Sequence, residues 1–254
     1  MTQPLVVGNW KMNGTLSPAS SLAAAIVERI TQNSPKAAVV LAPPATALVQ
    51  VQQRIVGSLI ALAGQNCHSE DSGAFTGEIS PVMLRDAGCT YVLVGHSERR
   101  HIFHESDEII ARKLAAAMRN NLRAVLCVGE TLDERKGVRT RQVITRQLQI
   151  ALKELKNIDI ANVEIAYEPV WAIGTGHNAD ANQIAEVHGW IRGHLTSSFD
   201  KNSGNGVRIL YGGSVNPSNA NELAKIAEVN GLLVGGASLK PETFLPVIRC
   251  FDNE

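Results

Sequence analysis

Short apolar runs recur along the whole chain, and each is followed by a longer stretch in which apolar residues return at helical intervals. The runs are LVVGNW at Leu5, AVVLAP at Ala38, IALAGQN at Ile60, YVLVGHSE at Tyr91, AVLCVGE at Ala124, VEIAYE at Val163, VRILYGG at Val207 and LLVGG at Leu232. Within them the apolar residues are continuous rather than alternating, the pattern of strands covered by helices. About eight strand–helix units in 254 residues place the chain in the α/β class. They favour a single closed parallel (β/α)8 barrel over an open sheet. No composition shift or Gly/Ser-rich linker divides the chain, so residues 1–254 are expected to form one domain.

The intervening stretches carry helix signals. Ser17-Pro18 predicts a helix start, with Ser17 as N-cap, Pro18 at the first helical position and Leu22, Ile26 and Ile30 on one stripe. Asp180 predicts another, with Ile184, Val187, Ile191 and Leu195 on its inner face. Asn216-Pro217 and Lys240-Pro241 are read as two late starts of the same kind.

Charge narrows the partners. Lys plus Arg equal Asp plus Glu at 24 each, so no net field favours nucleic acid or an anionic membrane surface, and an anionic substrate needs a local site. No apolar run reaches membrane-spanning length, and MTQPLVVGNWKMN lacks a basic start followed by a long apolar core. A cytoplasmic protein is expected. Cys67, Cys89, Cys127 and Cys250 are far apart without zinc-type spacing, which predicts reduced, buried thiols. His101 and His104 are close enough to share a helix face, but no nearby motif completes a metal set. Asn13-Gly14-Thr15 fits a glycosylation acceptor, a match without weight where no secretory signal is read.

In such a barrel, reactive groups gather where strands end and their loops begin. The strand ends supply Asn9 and Lys11, then His96 with Glu98 behind it, then Glu168, then Gly212, Gly213 and Ser214, and last Gly235 and Gly236. Lys11 and His96 taken singly also fit a solvated ammonium and a ring tying down its loop. The paired glycines fit tight turns as well as an anion cradle of exposed N–H groups. The segment VEIAYEPVWAIGTG is more pointed: an apolar strand delivers Glu168, Pro169 ends the ladder, residues 170–173 form an apolar tip, and Gly174 and Gly176 ease backbone rotation. It reads equally as a carboxylate followed by a lid and as a solvated Glu168 beside a turn packed by Trp171. GTGHNA at Gly174 also fits a dinucleotide fingerprint, but it follows a loop and lacks the βαβ setting.

The conjunction is more specific than its parts. GNWKMN at Gly8, GHSERR at Gly95, AYEPVWAIGTG at Ala166, YGGSV at Tyr211 and LVGGASL at Leu233, in this order, resemble the triosephosphate isomerase family. APPATAL at Ala42, GAFTGE at Gly73 and CVGETLDER at Cys127 extend the resemblance over nearly the whole chain, and the least family-like stretch, Lys136 to Arg146, is read as a surface helix. The resemblance implies the TIM barrel and the interconversion of dihydroxyacetone phosphate and glyceraldehyde 3-phosphate through an enediolate. It makes Glu168 the base, His96 the electrophile, and Lys11, aided by Asn9, the holder of the oxyanion. Gly174, Ser214, Gly235 and Gly236 would bind the phosphate through N–H groups, with no metal or organic cofactor. The family is itself the standing example of a neutral imidazole electrophile and of loop closure, and both come with the resemblance rather than from spacing.

The resemblance also implies a homodimer, with the exposed loop Gly73–Glu78 docking into a second subunit and Thr76 near the partner's lysine. Phe75 at its tip reads from sequence alone as a surface aromatic without a ring partner. Two other functions stand beside the isomerase. One is an aldolase in which Lys11 forms a Schiff base with a sugar phosphate. The other is a phosphate-binding barrel without turnover.

Overall fold

The computed structural model describes residues 2–173 and 179–252. Eight parallel strands close into a barrel: β1 Leu5–Asn9, β2 Ala38–Ala42, β3 Ile60–Gly64, β4 Tyr91–Val94, β5 Arg123–Val128, β6 Val163–Tyr167, β7 Ile209–Tyr211 and β8 Gly231–Val234. Each pairs with the next in sequence, and β8 closes on β1 with Leu5 opposite Gly231 and Gly8 opposite Val234. The strand pattern of the sequence is therefore met at every position. β7 starts two residues later than the run VRILYGG suggests, although the Arg208 carbonyl just before it still accepts the Ile165 N–H at 3.0 Å.

The continuous apolar runs have a simple cause. Alternate side chains of each strand go to opposite faces, and here both faces are dry. Leu5, Val7, Val40, Leu93, Val125, Cys127, Ala166 and Leu210 fill the interior. Their neighbours Val6, Leu41, Val92, Leu126 and Ile165 pack outward against the helices. Burying each such aliphatic side chain contributes roughly 1.5–3 kcal/mol. The four cysteines are all buried thiols, as their spacing predicts. Burial pushes Cys67 and Cys89 up to about 12, against the weaker pull of nearby cations.

Helix boundaries follow the sequence signals in part. Asp180 caps the helix Ala181–Ser198 in a reciprocal pair with Gln183, and Ile184, Val187, Ile191 and Leu195 are buried on its inner stripe. Pro241 opens the helix Pro241–Ile248 as expected. The first helix departs: it runs Leu16–Gln32 with Thr15 at the N-cap, so Ser17 and Pro18 lie inside its first turn. A proline is tolerated there because the first N–H groups have no intrahelical acceptor. Asn216-Pro217 does not open a helix either. Asn216 accepts from the Ser218 N–H and hydroxyl, a local turn that delays the helix to Ala220–Ala224.

The stretch from Lys136 to Arg146 is not one surface helix. It spans the end of Leu132–Lys136, a turn, and the start of Thr140–Leu152, whose inner face buries Val143 and Ile144. His101 ends the helix Ser97–His101, while His104 lies beyond it with a left-handed φ of 55°, so the two rings do not share a helix face. Among the described residues no group of three or more His, Cys, Asp or Glu is placed to hold a metal, and no helix is long and apolar enough to cross a membrane.

Candidate active site

A cavity of about 510 Å³ opens at the C-terminal ends of the strands, lined among others by Asn9, Lys11, His96, Glu168, Ser214 and Gly235. Chain topology alone assembles this set: Asn9 ends β1 and Lys11 lies just past it, His96 follows β4, Glu168 follows β6, Ser214 follows β7 and Gly235 follows β8. Gly236 lines the same wall, while Gly174 falls outside the described residues.

Glu168 is 2 % exposed, and its two oxygens are held separately. Oε1 lies 3.0 Å from His96 Nε2, and Oε2 accepts the Ser97 N–H at 2.8 Å. Burial pushes this carboxyl upward, but His96, the Ser97 N–H and the Lys11 charge outweigh it and hold it below the usual range. In this resting position the carboxylate is stabilised in its basic form yet engaged with its own chain. Gly212 leaves it room to turn: a Cβ there would stand 3.0 Å from Glu168 Cγ.

His96 is the N-cap of its helix, and its Nδ1 accepts the Glu98 N–H at 3.2 Å. A nitrogen that accepts a hydrogen bond carries no proton, so the ring proton belongs on Nε2, facing Glu168. Burial works against an imidazolium here, and the adjacent Glu168 carboxylate works for it strongly enough to leave the ring above its ordinary value. That second influence depends on Glu168 staying close. When the carboxylate moves off, burial, the Lys11 charge and the helix N-terminus remain to favour the neutral ring, against the half-exposed Glu98 carboxylate 3.6 Å from Nδ1.

Lys11 projects its ammonium into the same space from a strained backbone. Its φ is 52°, a left-handed value that costs of order 1–3 kcal/mol for a residue with a Cβ. Three contacts hold it there: the Lys11 N–H donates to Asn9 Oδ1 at 3.0 Å, Gln65 Nε2 donates to the Lys11 carbonyl at 2.8 Å, and Nζ pairs with Glu98 at 2.6 Å. A second cavity, of about 340 Å³, lies beyond Lys11 and shares Asn9, Lys11 and His96 with the first.

The arrangement puts a buried base, a neutral ring with an N–H, a fixed cation and a glycine-rich wall around one space. Such a set can move a proton beside a carbonyl while stabilising the charge that develops on oxygen. A model of the family described as triosephosphate isomerase matches residues 4–251. The chain belongs to the triosephosphate isomerase family. It is accordingly an isomerase. The triosephosphate isomerase of Prosthecochloris aestuarii is 47% identical over 253 residues, covering 100% of both chains, and that of Coprinopsis cinerea is 47% identical with 98% of each covered. The crystal structure of triosephosphate isomerase from Bartonella henselae superposes with a TM-score of 0.89 at 43% identity, over 98% of this chain and 99% of that one.

Other residues of this triosephosphate isomerase family site escape a reading by strand ends, because the end of the fifth strand looks unreactive. Glu130 follows it, fully buried, and its Oε1 accepts from Tyr167 Oη at 3.1 Å and Trp171 Nε1 at 3.0 Å. Burial pushes the Glu130 carboxyl up, although those donors and Arg135 oppose it. The Glu130 carbonyl accepts the Val170 N–H at 3.1 Å. The apolar tip that follows Glu168 is thus anchored at its stem by a neighbouring strand end. The sequence signals were Gly-Glu placed directly after an apolar run and its place within CVGETLDER at Cys127.

Proposed function

We propose that this chain interconverts dihydroxyacetone phosphate and D-glyceraldehyde 3-phosphate, working as one barrel domain over residues 1–254, with Glu168 as the base. Glu168 leaves the Ser97 N–H, turns past Gly212 into the cavity, removes a proton from the carbon beside the carbonyl, and returns it to the neighbouring carbon. His96 donates its Nε2 hydrogen to the substrate oxygens and moves protons between them. Lys11, with Asn9, stabilises the negative oxygen of the enediolate. Ser214, Gly235 and Gly236, together with Gly174, hold the phosphate through backbone N–H groups. The neutral imidazole in this role is the family's own known case.

The observation that carries this reading is the 3.0 Å contact between His96 Nε2 and a fully enclosed Glu168, within one cavity that also receives Lys11. A carbon-bound proton beside a carbonyl is weakly acidic, so its removal needs fixed donors and charge at the oxygen and exclusion of water. The aldolase alternative requires the Lys11 amine as the attacking group, whereas Nζ is engaged 2.6 Å from the Glu98 carboxylate.

Incubation with dihydroxyacetone phosphate in heavy water tests the proposal. The parent should wash deuterium into carbon-bound positions, and Glu168→Gln should slow this by about 10²–10⁴-fold. Equal rates in the two proteins would refute Glu168 as the base. Trapping of substrate on Lys11 by borohydride would favour the aldolase.

The homodimer is part of the same proposal. The Gly73–Glu78 loop is exposed, with the Phe75 ring tilted by 36° against His68 at 4.1 Å between ring centroids, so the tip aromatic has a partner within its own chain. Met12 is 95 % exposed beside Lys11, and Phe103 60 % exposed on the rim of the 340 Å³ cavity. A second copy's loop entering that cavity would cover these apolar residues and bring Thr76 next to Lys11 from behind. Light scattering showing only monomer at micromolar concentration would argue against it. A cytoplasmic location belongs to the same proposal.

A further inference from the structure

We infer that Gln147 is a positioning residue for the isomerisation, acting on Glu168 and on the stem of the segment after it through the backbone of Gly129. The inference rests on Glu168 being the base, as proposed above. Gln147 lies on the buried face of the helix Thr140–Leu152, among Val143, Ile144, Leu148 and Ala151. A primary amide in such a stripe is costly unless its donor and acceptor are both satisfied. Here both go to one residue. The Gly129 N–H donates to Gln147 Oε1 at 2.8 Å, and Gln147 Nε2 donates to the Gly129 carbonyl at 3.0 Å.

Gly129 is where this matters. β5 ends at Val128, so Gly129 is the first residue beyond the ladder, and the side-chain amide gives it the pair of bonds that an adjoining strand would otherwise supply. Its backbone is pressed against that of the base. A Cβ on Gly129 would stand 1.8 Å from the Glu168 carbonyl oxygen, and the Glu168 N–H donates to the Val128 carbonyl at 2.8 Å. The next residue, Glu130, takes the Val170 N–H on its carbonyl and the Tyr167 and Trp171 donors on its carboxylate. The Gly129-Glu130 pair therefore touches the backbone of the base on one side and the stem Val170–Trp171 on the other. Gln147 holds that pair from the helix layer.

An apolar side chain of similar size would leave the Gly129 N–H and C=O buried without partners, and the backbone would shift to find them. A displacement of an ångström or less at Glu168 is enough to weaken proton transfer, which depends on near-contact geometry. A merely structural role would lower stability and leave turnover alone.

Three variants separate these cases: Gln147→Leu, Gln147→Glu and Glu168→Gln, each compared with the parent for kcat, KM and thermal midpoint. Gln147→Leu should lower kcat by about 10–100-fold with KM within about threefold. Gln147→Glu carries its own control. As a carboxylic acid the new side chain accepts and donates as the amide does; as a carboxylate it repels the Gly129 carbonyl. Its kcat relative to the parent should rise as pH falls from about 8 to about 6, while the ratio for Gln147→Leu stays flat. A flat ratio for Gln147→Glu, or a folded Gln147→Leu with kcat within about twofold of the parent, overturns the inference. If Gln147→Leu fails to fold, the pH profile of Gln147→Glu decides alone. Parental activity in Glu168→Gln would mean that the base itself is misassigned. An inactive Glu168→Gln beside a fully active Gln147→Leu sinks only the role of Gln147.

Discussion

Glu164 near the start of β6 and Glu168 just past its end alternate with Ala166 of the barrel interior, and their partners differ in kind. Glu164 meets Arg208 at 2.6 and 3.0 Å and Arg123 at 2.6 Å. Glu168 meets one imidazole and one backbone N–H. Guanidinium groups stay charged at any working pH, so the first carboxylate is fixed in place. The second is held by partners it can leave.

Glu164→Gln should therefore cost stability and spare chemistry. Removing one charge of a buried ion pair strands the others, a loss of about 3 kcal/mol in urea unfolding. Turnover should stay within about threefold of the parent, because Ala166 and the interior aliphatic layer separate the barrel floor from the mouth. A tenfold or larger loss of kcat would show that the two ends are coupled after all.

Lys11→Met should act in the opposite way. The side chain keeps its bulk and loses the cation that faces the cavity, so kcat/KM should fall by about 10²–10³-fold. Thermal stability should change little, since the Glu98 partner is 41 % exposed and gains solvent in exchange. Retention of activity within about tenfold would move the oxyanion role to another group.

His188 gives a pH dependence with a definite sign. It is fully buried beside Tyr167, with Nδ1 against the Glu228 carbonyl at 3.0 Å and no partner for Nε2 among the described residues. Burial pushes its pKa down from 6.5 to about 4, against the weaker pull of the Glu228 carbonyl. The unfolded chain takes up a proton below pH 6.5 that the folded chain refuses until about pH 4, so stability from this residue is full above 6.5 and is lost as pH falls through that window. Between pH 7 and pH 5 the loss should be about 2 kcal/mol. His188→Gln should flatten that part of the curve when free energies of unfolding are measured by urea at several pH values. An unchanged slope would place the titration elsewhere.

The barrel was legible because a strand dry on both faces must be apolar throughout, and that signal repeats at every strand from Leu5 to Val234. The reactive side chains were legible because strand ends are few and Lys11, His96 and Glu168 stand beside them. Caps were legible only where one side chain could do the work. Asp180 did so, whereas Ser17 yielded to Thr15 and Asn216 made a turn of its own. Least visible were contacts between residues distant in sequence. Nothing in the local pattern joins Glu164 to Arg208, Glu130 to Trp171 or Gly129 to Gln147, since each pairing exists only once the strands are side by side.

The enclosed thiols make the molecule its own clock. With Cys67, Cys89, Cys127 and Cys250 all shut away from water, and the first two barely ionised at neutral pH, a maleimide or disulfide reagent finds nothing to attack on the intact barrel. The rate at which sulfur becomes reactive then measures how often the wall around each one parts, from Cys127 inside the barrel to Cys250 near its final turn.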